Sequence, residues 1–272
     1  ASLPIPFGTQ IGMDIDGEVA GDRSGYSVSL SSDGNTVAIG AHRNDGNGTD
    51  AGHVRIYENI VGSWSQIGND IDGEAAGDMN GYSVSLSGDG NTVAIGANLN
   101  DGNGSESGHV RIYENIVGSW SQIGQDIDGE TAASQSGWSV SLSSDGSTVA
   151  IGALRNDGNG YEAGHVRIYE NIVGSWSQIG QDIDGETAGD KTGYSVSLSS
   201  DGNTVAIGAP ENDGNGPGAG HTRVYEYNGS TWVQLGQDID GESAGDQSGS
   251  SISLSSDGNT IAIGAYANSG NG

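Results

Sequence analysis

The sequence has no cysteine, which excludes disulfide staples, thiol catalysis and Cys-ligated zinc. Basic residues are almost as scarce: eight Lys and Arg, of which only Lys191 is a lysine, stand against 36 acids for a net charge of −28. Such a surface repels polyphosphates, so nucleic acids and anionic membranes are excluded as partners. No run approaches the roughly 20 apolar residues of a membrane span, and membrane insertion is not expected. Ala1-Ser2-Leu3-Pro4 has neither a charged n-region nor an apolar h-region, as in a mature end left by signal removal. With one Phe and 33% hydrophobic residues, the chain cannot fill one large aliphatic core. Many thin cores between small sheets remain open to it.

What is abundant is glycine, 50 residues of 272, which supplies the positive φ angles of tight turns. Self-similarity is stronger still. Tyr26, Tyr82, Trp138, Tyr194 and Ser250 head five matching segments at a constant step of 56 residues. His53, His109, His165 and His221 keep the same step, as do Trp64, Trp120, Trp176 and Trp232.

One unit reads as four short strands. Tyr26–Ser31 alternates strictly. Ser32-Asp33-Gly34-Asn35 forms a hairpin turn, and Thr36–Ala41 is small and apolar on both sides. A long loop, 42–52, leads to His53–Glu58, and Gly62 precedes Trp64–Ile67. Asp70–Glu74 then carries the chain to the next unit. Four antiparallel strands repeated radially predict an all-β fold, a β-propeller of about five four-stranded blades with the fifth incomplete. Residues 1–7 form a tail and 8–272 a single domain, with repeats 8–63, 64–119, 120–175, 176–231 and a partial 232–272. Gly8–Met13 aligns with the fourth strand, so it could close the ring as the outer strand of the fifth blade, whose third strand is missing.

The first two strands of each unit resemble the FG-GAP repeat of integrin-like propellers. Gly25-Tyr26, Gly81-Tyr82, Gly137-Trp138 and Gly193-Tyr194 look like its Phe-Gly start in reverse order. Gly208-Ala209-Pro210 matches its Gly-Ala-Pro end, and Gly40-Ala41, Gly96-Ala97, Gly152-Ala153 and Gly264-Ala265 match in part. The resemblance implies an extracellular propeller, usually seven-bladed, of adhesion or carbohydrate-associated proteins. Many members hold calcium in an Asp/Asn-rich hairpin. Here that hairpin has shrunk to Ser32–Asn35 and its counterparts, too few oxygens for calcium, so that site does not transfer.

Three residue sets could carry chemistry. The acidic turns Asp14/Asp16/Glu18, Asp70/Asp72/Glu74, Asp182/Asp184/Glu186 and Asp238/Asp240/Glu242 cluster carboxylates round a Gly and fit Ca²⁺. They fit better a turn whose carboxylates accept backbone N–H bonds, since the spacing is not that of an EF-hand. Asp22, Asp78, Asp190 and Asp246 follow four residues after each Glu; the remaining copy, Asp126/Asp128/Glu130, has Ser134 there. Asn44–Gly48 and its copies read as ligand-free Asn/Gly turns. Trp64 and Tyr57, with their equivalents, read as inter-blade packing, and the histidines as structural hydrogen-bonders. Asn47, Asn103 and Asn228 head N-glycosylation sequons.

Almost every polar residue recurs one unit away, which leaves no singular constellation for catalysis. The expectation is therefore a non-catalytic structural or adhesive protein, extracellular or at the cell surface. Its partners would be copies of itself, an extracellular protein or a glycan; a multivalent lectin-like module is the alternative, and a polysaccharide-active enzyme using paired carboxylates is the weaker one. Assembly would use Leu3, Ile5 and Phe7, which alternate like a strand and would pair with the open edge of the incomplete blade. Alternation with Pro4 and Pro6 weakens that pairing.

Overall fold

A computed structural model describes residues 8–270. Each unit begins with a hairpin fixed by its own side chains. β1 (Ser27–Leu30) meets β2 (Thr36–Ala41) in register Ser27↔Gly40 to Leu30↔Val37. Across the turn, Ser31 Oγ donates to Asp33 Oδ1 at 2.7 Å, and Asp33 Oδ1 accepts from the Asn35 amide at 2.9 Å. Ser31 Oγ in turn accepts from the Thr36 amide at 2.9 Å. Ser-x-Asp-Gly-Asn is thus a closed network, with Gly34 at φ 73°.

β2 pairs with β3 (His53–Ile60), whose outer flank carries two short strands, β4 (Ser63–Gln66) and β5 (Ile71–Asp72). The stretch expected only to connect blades therefore adds to the sheet. Ile71 lies opposite Val54 and buries its side chain in the core, which pulls its backbone onto the ladder. The same five strands recur as β6–β10 (Ser83–Leu86 to Ile127–Asp128), β11–β15 (Ser139–Leu142 to Ile183–Asp184) and β16–β20 (Ser195–Leu198 to Ile239–Asp240). β21 (Ser248–Leu254) and β22 (Ile261–Ala265) form a last, two-stranded sheet. The fold is an all-β propeller array of four full blades and a partial fifth.

The core lies between blades rather than inside any one. Ala38, Val54, Ile56 and Ile71 of the first blade pack on Leu86, Val93, Ile95 and Tyr113 of the second, and the set repeats at the next two interfaces. Each buried Val, Leu or Ile among them contributes roughly 1.5–3 kcal/mol by leaving water. The expected thin cores are these interfaces, with Trp120 and Tyr113 among their residues.

Near the axis the blades approach too closely for side chains. A Cβ on Gly40 would overlap the carbonyl oxygen of Gly81 in the next blade. Ser27 Oγ donates to that same oxygen at 2.7 Å. A staircase of backbone bonds also climbs from blade to blade: Ser32 N to Gly88 O, Gly88 N to Ser144 O, Ser144 N to Ser200 O and Ser200 N to Ser256 O, at 2.7–2.9 Å.

The ends of the array differ from the ring closure expected for Gly8–Met13. The last sheet holds β21 and β22 alone among the described residues. Residues 8–16 instead lie beside the first blade. Ile11 O accepts from Trp64 Nε1 at 3.0 Å, and Asp16 O from Arg55 Nη2 at 2.7 Å. Ile67 and Asp72 serve Trp120 and Arg111 in the same way one blade on. The segment thus occupies the outer-strand place of a blade that would precede the first. Leu3, Ile5 and Phe7 lie outside the described residues.

Candidate metal-binding clusters

The leading acids of each turn take partners outside one another, while the last acid closes the turn. Asp14 Oδ1 accepts from Gln10 Nε2 at 2.8 Å, and Asp16 contributes its carbonyl to Arg55. Glu18 turns away from both towards His53 and Arg55, which open β3. His53 is 1% exposed. Its Nδ1 stands 3.9 Å from Glu18 Oε2 and 3.5 Å from Asp70 Oδ2. The fold thus joins an acid from one turn, a histidine at a strand start and an acid from the following turn.

The arrangement occurs four times, as Glu18/His53/Asp70, Glu74/His109/Asp126, Glu130/His165/Asp182 and Glu186/His221/Asp238, with the three donor atoms of each group within 4.8 Å of one another. Glu18, Asp70, Glu74, Asp182, Glu186 and Asp238 of the sequence-selected acids belong to these groups, whereas Asp14, Asp16, Asp72, Asp184, Asp240 and Glu242 do not. The carboxyl of Asp72 sits above its ordinary pKa through partial desolvation and then the neighbouring Asp70 charge. Asp22 and Asp78 are structural: Asp22 Oδ2 accepts from Asn44 Nδ2 at 2.9 Å, and Asp78 Oδ2 from the Ala75 amide at 2.9 Å. In the third turn, Thr131 and Ser134 hydroxyls bond each other at 2.7 Å instead.

The four Glu/His/Asp groups can hold metal ions. Each carboxylate spends one oxygen on an organic partner, Asp70 Oδ1 on Gln66 Nε2 at 2.6 Å and Glu18 Oε1 on Arg55 Nη1 at 3.9 Å, leaving the other for the histidine. Burial, and then the charge of Arg111 or Arg167, lowers His109 and His165 to a pKa of about 4, so both are neutral at pH 7. Sequence reasoning passed over these histidines because no second histidine lies nearby; the acids that complete each group are 35 residues before and 17 after it. The shared 56-residue step of His53 and Asp70 was the available signal.

The other candidates are bound locally. Asn47 and Asn103 donate their side-chain amides to Gly73 O at 2.7 Å and Gly129 O at 2.8 Å, clasping the long loop to the acidic turn. Asn228 lies exposed in the connection between β18 (His221–Tyr227) and β19 (Trp232–Gln234).

The FG-GAP repeat family matches two stretches of the sequence. Residues 13–57 and 71–113 are FG-GAP repeats. The later units of the array repeat their sequence at the same 56-residue step. No curated protein matches the chain in sequence. Among solved structures, the hydrazine synthase of Kuenenia stuttgartiensis is similar at 13% identity and a TM-score of 0.56, over 94% of this chain and 58% of that one. The periplasmic gluconolactonase of Pseudomonas aeruginosa is similar at 19% identity and a TM-score of 0.57, over 87% of this chain and 64% of that one. The chain spans about three-fifths of the length of these two structures. At such identities the likeness shows the fold alone.

Proposed function

We propose that this protein is a non-catalytic structural or adhesive propeller of the cell exterior that joins copies of itself blade to blade. One observation carries the reading. Leu86, Leu142 and Leu198 are 6–7% exposed beneath the preceding blade, whereas Leu30, their counterpart on the first blade, is 57% exposed and Val28 63%. The last sheet leaves Ala262 exposed, although its counterparts Ala38, Ala94, Ala150 and Ala206 are fully buried. Within the described residues these two faces are the halves of an interface that the blades already build with one another, and apolar surface of this kind favours burial against its complement, here in a second copy. The −28 charge suits an exterior protein, because salt screens its self-repulsion. Recurrence of every Glu/His/Asp group favours repeated binding over catalysis at one centre.

Sedimentation velocity of the full chain tests it. Concentration-dependent association that Val28→Asp with Leu30→Asp abolishes is the expected result. A monomer at every concentration, or association untouched by those changes and by deletion of residues 1–7, would overturn it.

A second reading, a multivalent glycan binder with Ca²⁺ as a cofactor, is favoured by the clefts between successive outer strands. One of about 570 Å³ is lined by Asp70, Asp72, Tyr113 and Trp120. A second, of about 250 Å³, has Asp126, Asp128, Tyr169 and Trp176, and a third, of about 320 Å³, has Asp14, Asp16, Tyr57 and Trp64. Aromatic rings beside carboxylates suit sugar faces and hydroxyls, and equivalent sites add avidity. Glycan-array binding with and without calcium, competed by a simple sugar, is its test; no binding in either condition rules it out.

A further inference from the structure

We propose that each Glu–His–Asp group is a binding site for a borderline divalent cation of the Zn²⁺ class, held in the third copy by Glu130 Oε2, His165 Nδ1 and Asp182 Oδ2. The spacing is the first argument. Nδ1 lies 3.7 Å from Glu130 and 3.8 Å from Asp182, and the other three copies keep 3.5–3.9 Å. These gaps exceed an N–H···O hydrogen bond of about 2.7–3.2 Å. They match two neighbouring donors of one roughly tetrahedral ion with bonds of about 2.0–2.2 Å.

His165 supplies the second argument. It is 1% exposed and neither ring nitrogen has a hydrogen-bond partner, although Nδ1 is aimed into the group. Buried polar atoms are rarely left so, and an ion is one of the few agents that satisfies such a nitrogen.

Outer interactions hold the two acids ready. Asp182 Oδ1 accepts from Gln178 Nε2 at 2.6 Å, and Glu130 Oε1 stands 3.6 Å from Arg167 Nη1. Each thereby presents its remaining oxygen to the histidine, which is how second-layer partners orient metal ligands. Two carboxylates against one guanidinium leave the site negative. The first copy differs, because Asn44 Nδ2 also reaches Glu18 Oε2 at 3.4 Å and competes for the ligand oxygen.

The nitrogen sets the metal class. Calcium and magnesium take oxygen donors, whereas imidazole with carboxylates suits zinc and its neighbours. A three-ligand set also leaves a position for water or for a partner's side chain.

The test is titration of the EDTA-treated full chain with ZnCl₂ by calorimetry, with stoichiometry read by native mass spectrometry. Four ions per chain are expected, the first-copy site weakest, with Ca²⁺ at least tenfold weaker. Glu130→Gln with Asp182→Asn changes partly exposed side chains only and should remove one ion, leaving three; His165→Gln should do the same. A urea transition for each variant shows that it is folded. No Zn²⁺ binding at micromolar concentration, equal affinity for Ca²⁺, or unchanged stoichiometry in both folded variants would overturn the proposal.

Discussion

Trp120 donates its indole N–H to the carbonyl oxygen of Ile67 at 3.0 Å, across the boundary between two blades. Trp64, Trp176 and Trp232 make the equivalent bond to Ile11, Ile123 and Ile179 at 2.9–3.0 Å. One residue per unit thus fills the interface with its ring and satisfies the neighbouring blade's backbone with its only polar atom.

Trp120→Phe keeps an aromatic ring but leaves the Ile67 carbonyl without its donor. The expected loss is about 1–3 kcal/mol, and Trp120→Ala should cost about 3–5 kcal/mol. Urea unfolding followed by circular dichroism reads both, and Phe and Ala behaving alike would show that the bond contributes nothing.

Close approach of the inner strands makes Gly96 sensitive. A Cβ there would overlap the Gly137 carbonyl and the Ser83 hydroxyl, so Gly96→Ala must push two blades apart, at about 1–3 kcal/mol. An unchanged melting temperature would mean that the blades yield without cost.

The hairpin between β8 (His109–Ile116) and β9 (Ser119–Gln122) carries the opposite opportunity. Val117 holds φ 53°, a left-handed conformation that a β-branched residue adopts only under strain, and its side chain is fully exposed. Val117→Asn should therefore stabilise the protein by about 0.5–1 kcal/mol. Thermal denaturation checks the sign; a lower melting temperature would show that Val117 is held by something else.

Acid should weaken the fold in two stages. Burial, then Arg111 or Arg167, depresses His109 and His165 from 6.5 to about 4 in the folded state. The unfolded chain binds more protons between those values, so stability begins to fall as pH drops through 6.5 and this stage ends near 4. Asp33 is lowered chiefly by the Asn35 amide, and Asp257 to about 2 chiefly by Ser255. Their contribution is present above the ordinary carboxyl value of 3.8 and is lost as pH falls below it, for Asp257 towards about 2. Urea midpoints at pH 7, 5 and 3 should decline at both steps; a flat profile between pH 7 and 5 would contradict the histidine stage.

Much of the architecture was legible from residues alone. The Tyr26/Tyr82/Trp138/Tyr194 step, the Asp33-Gly34 turn and the alternation of Ser27–Leu30 point to repeated hairpins, because local turn chemistry and period-two patterning are encoded over a few residues. The interface role of Trp120 was legible too, since one aromatic per unit at a fixed strand position has few other uses. Ile71–Asp72 was misread as a connection: two residues are too short to show a period, and only the packing of Ile71 on Val54 and its neighbours makes them a strand.

By itself, then, the chain determines its blade, its step and its acidic surface, all properties of short segments and totals. The union of Glu18, His53 and Asp70 was decided by tertiary structure alone. Donors 35 and 17 residues apart meet only when β3 is laid against the turns on either side of it, and no local pattern records a distance of 3.5 Å across that gap. The exposure of Leu30 was likewise invisible in its heptapeptide, identical in pattern to the buried Leu142, because burial is conferred by a neighbouring blade.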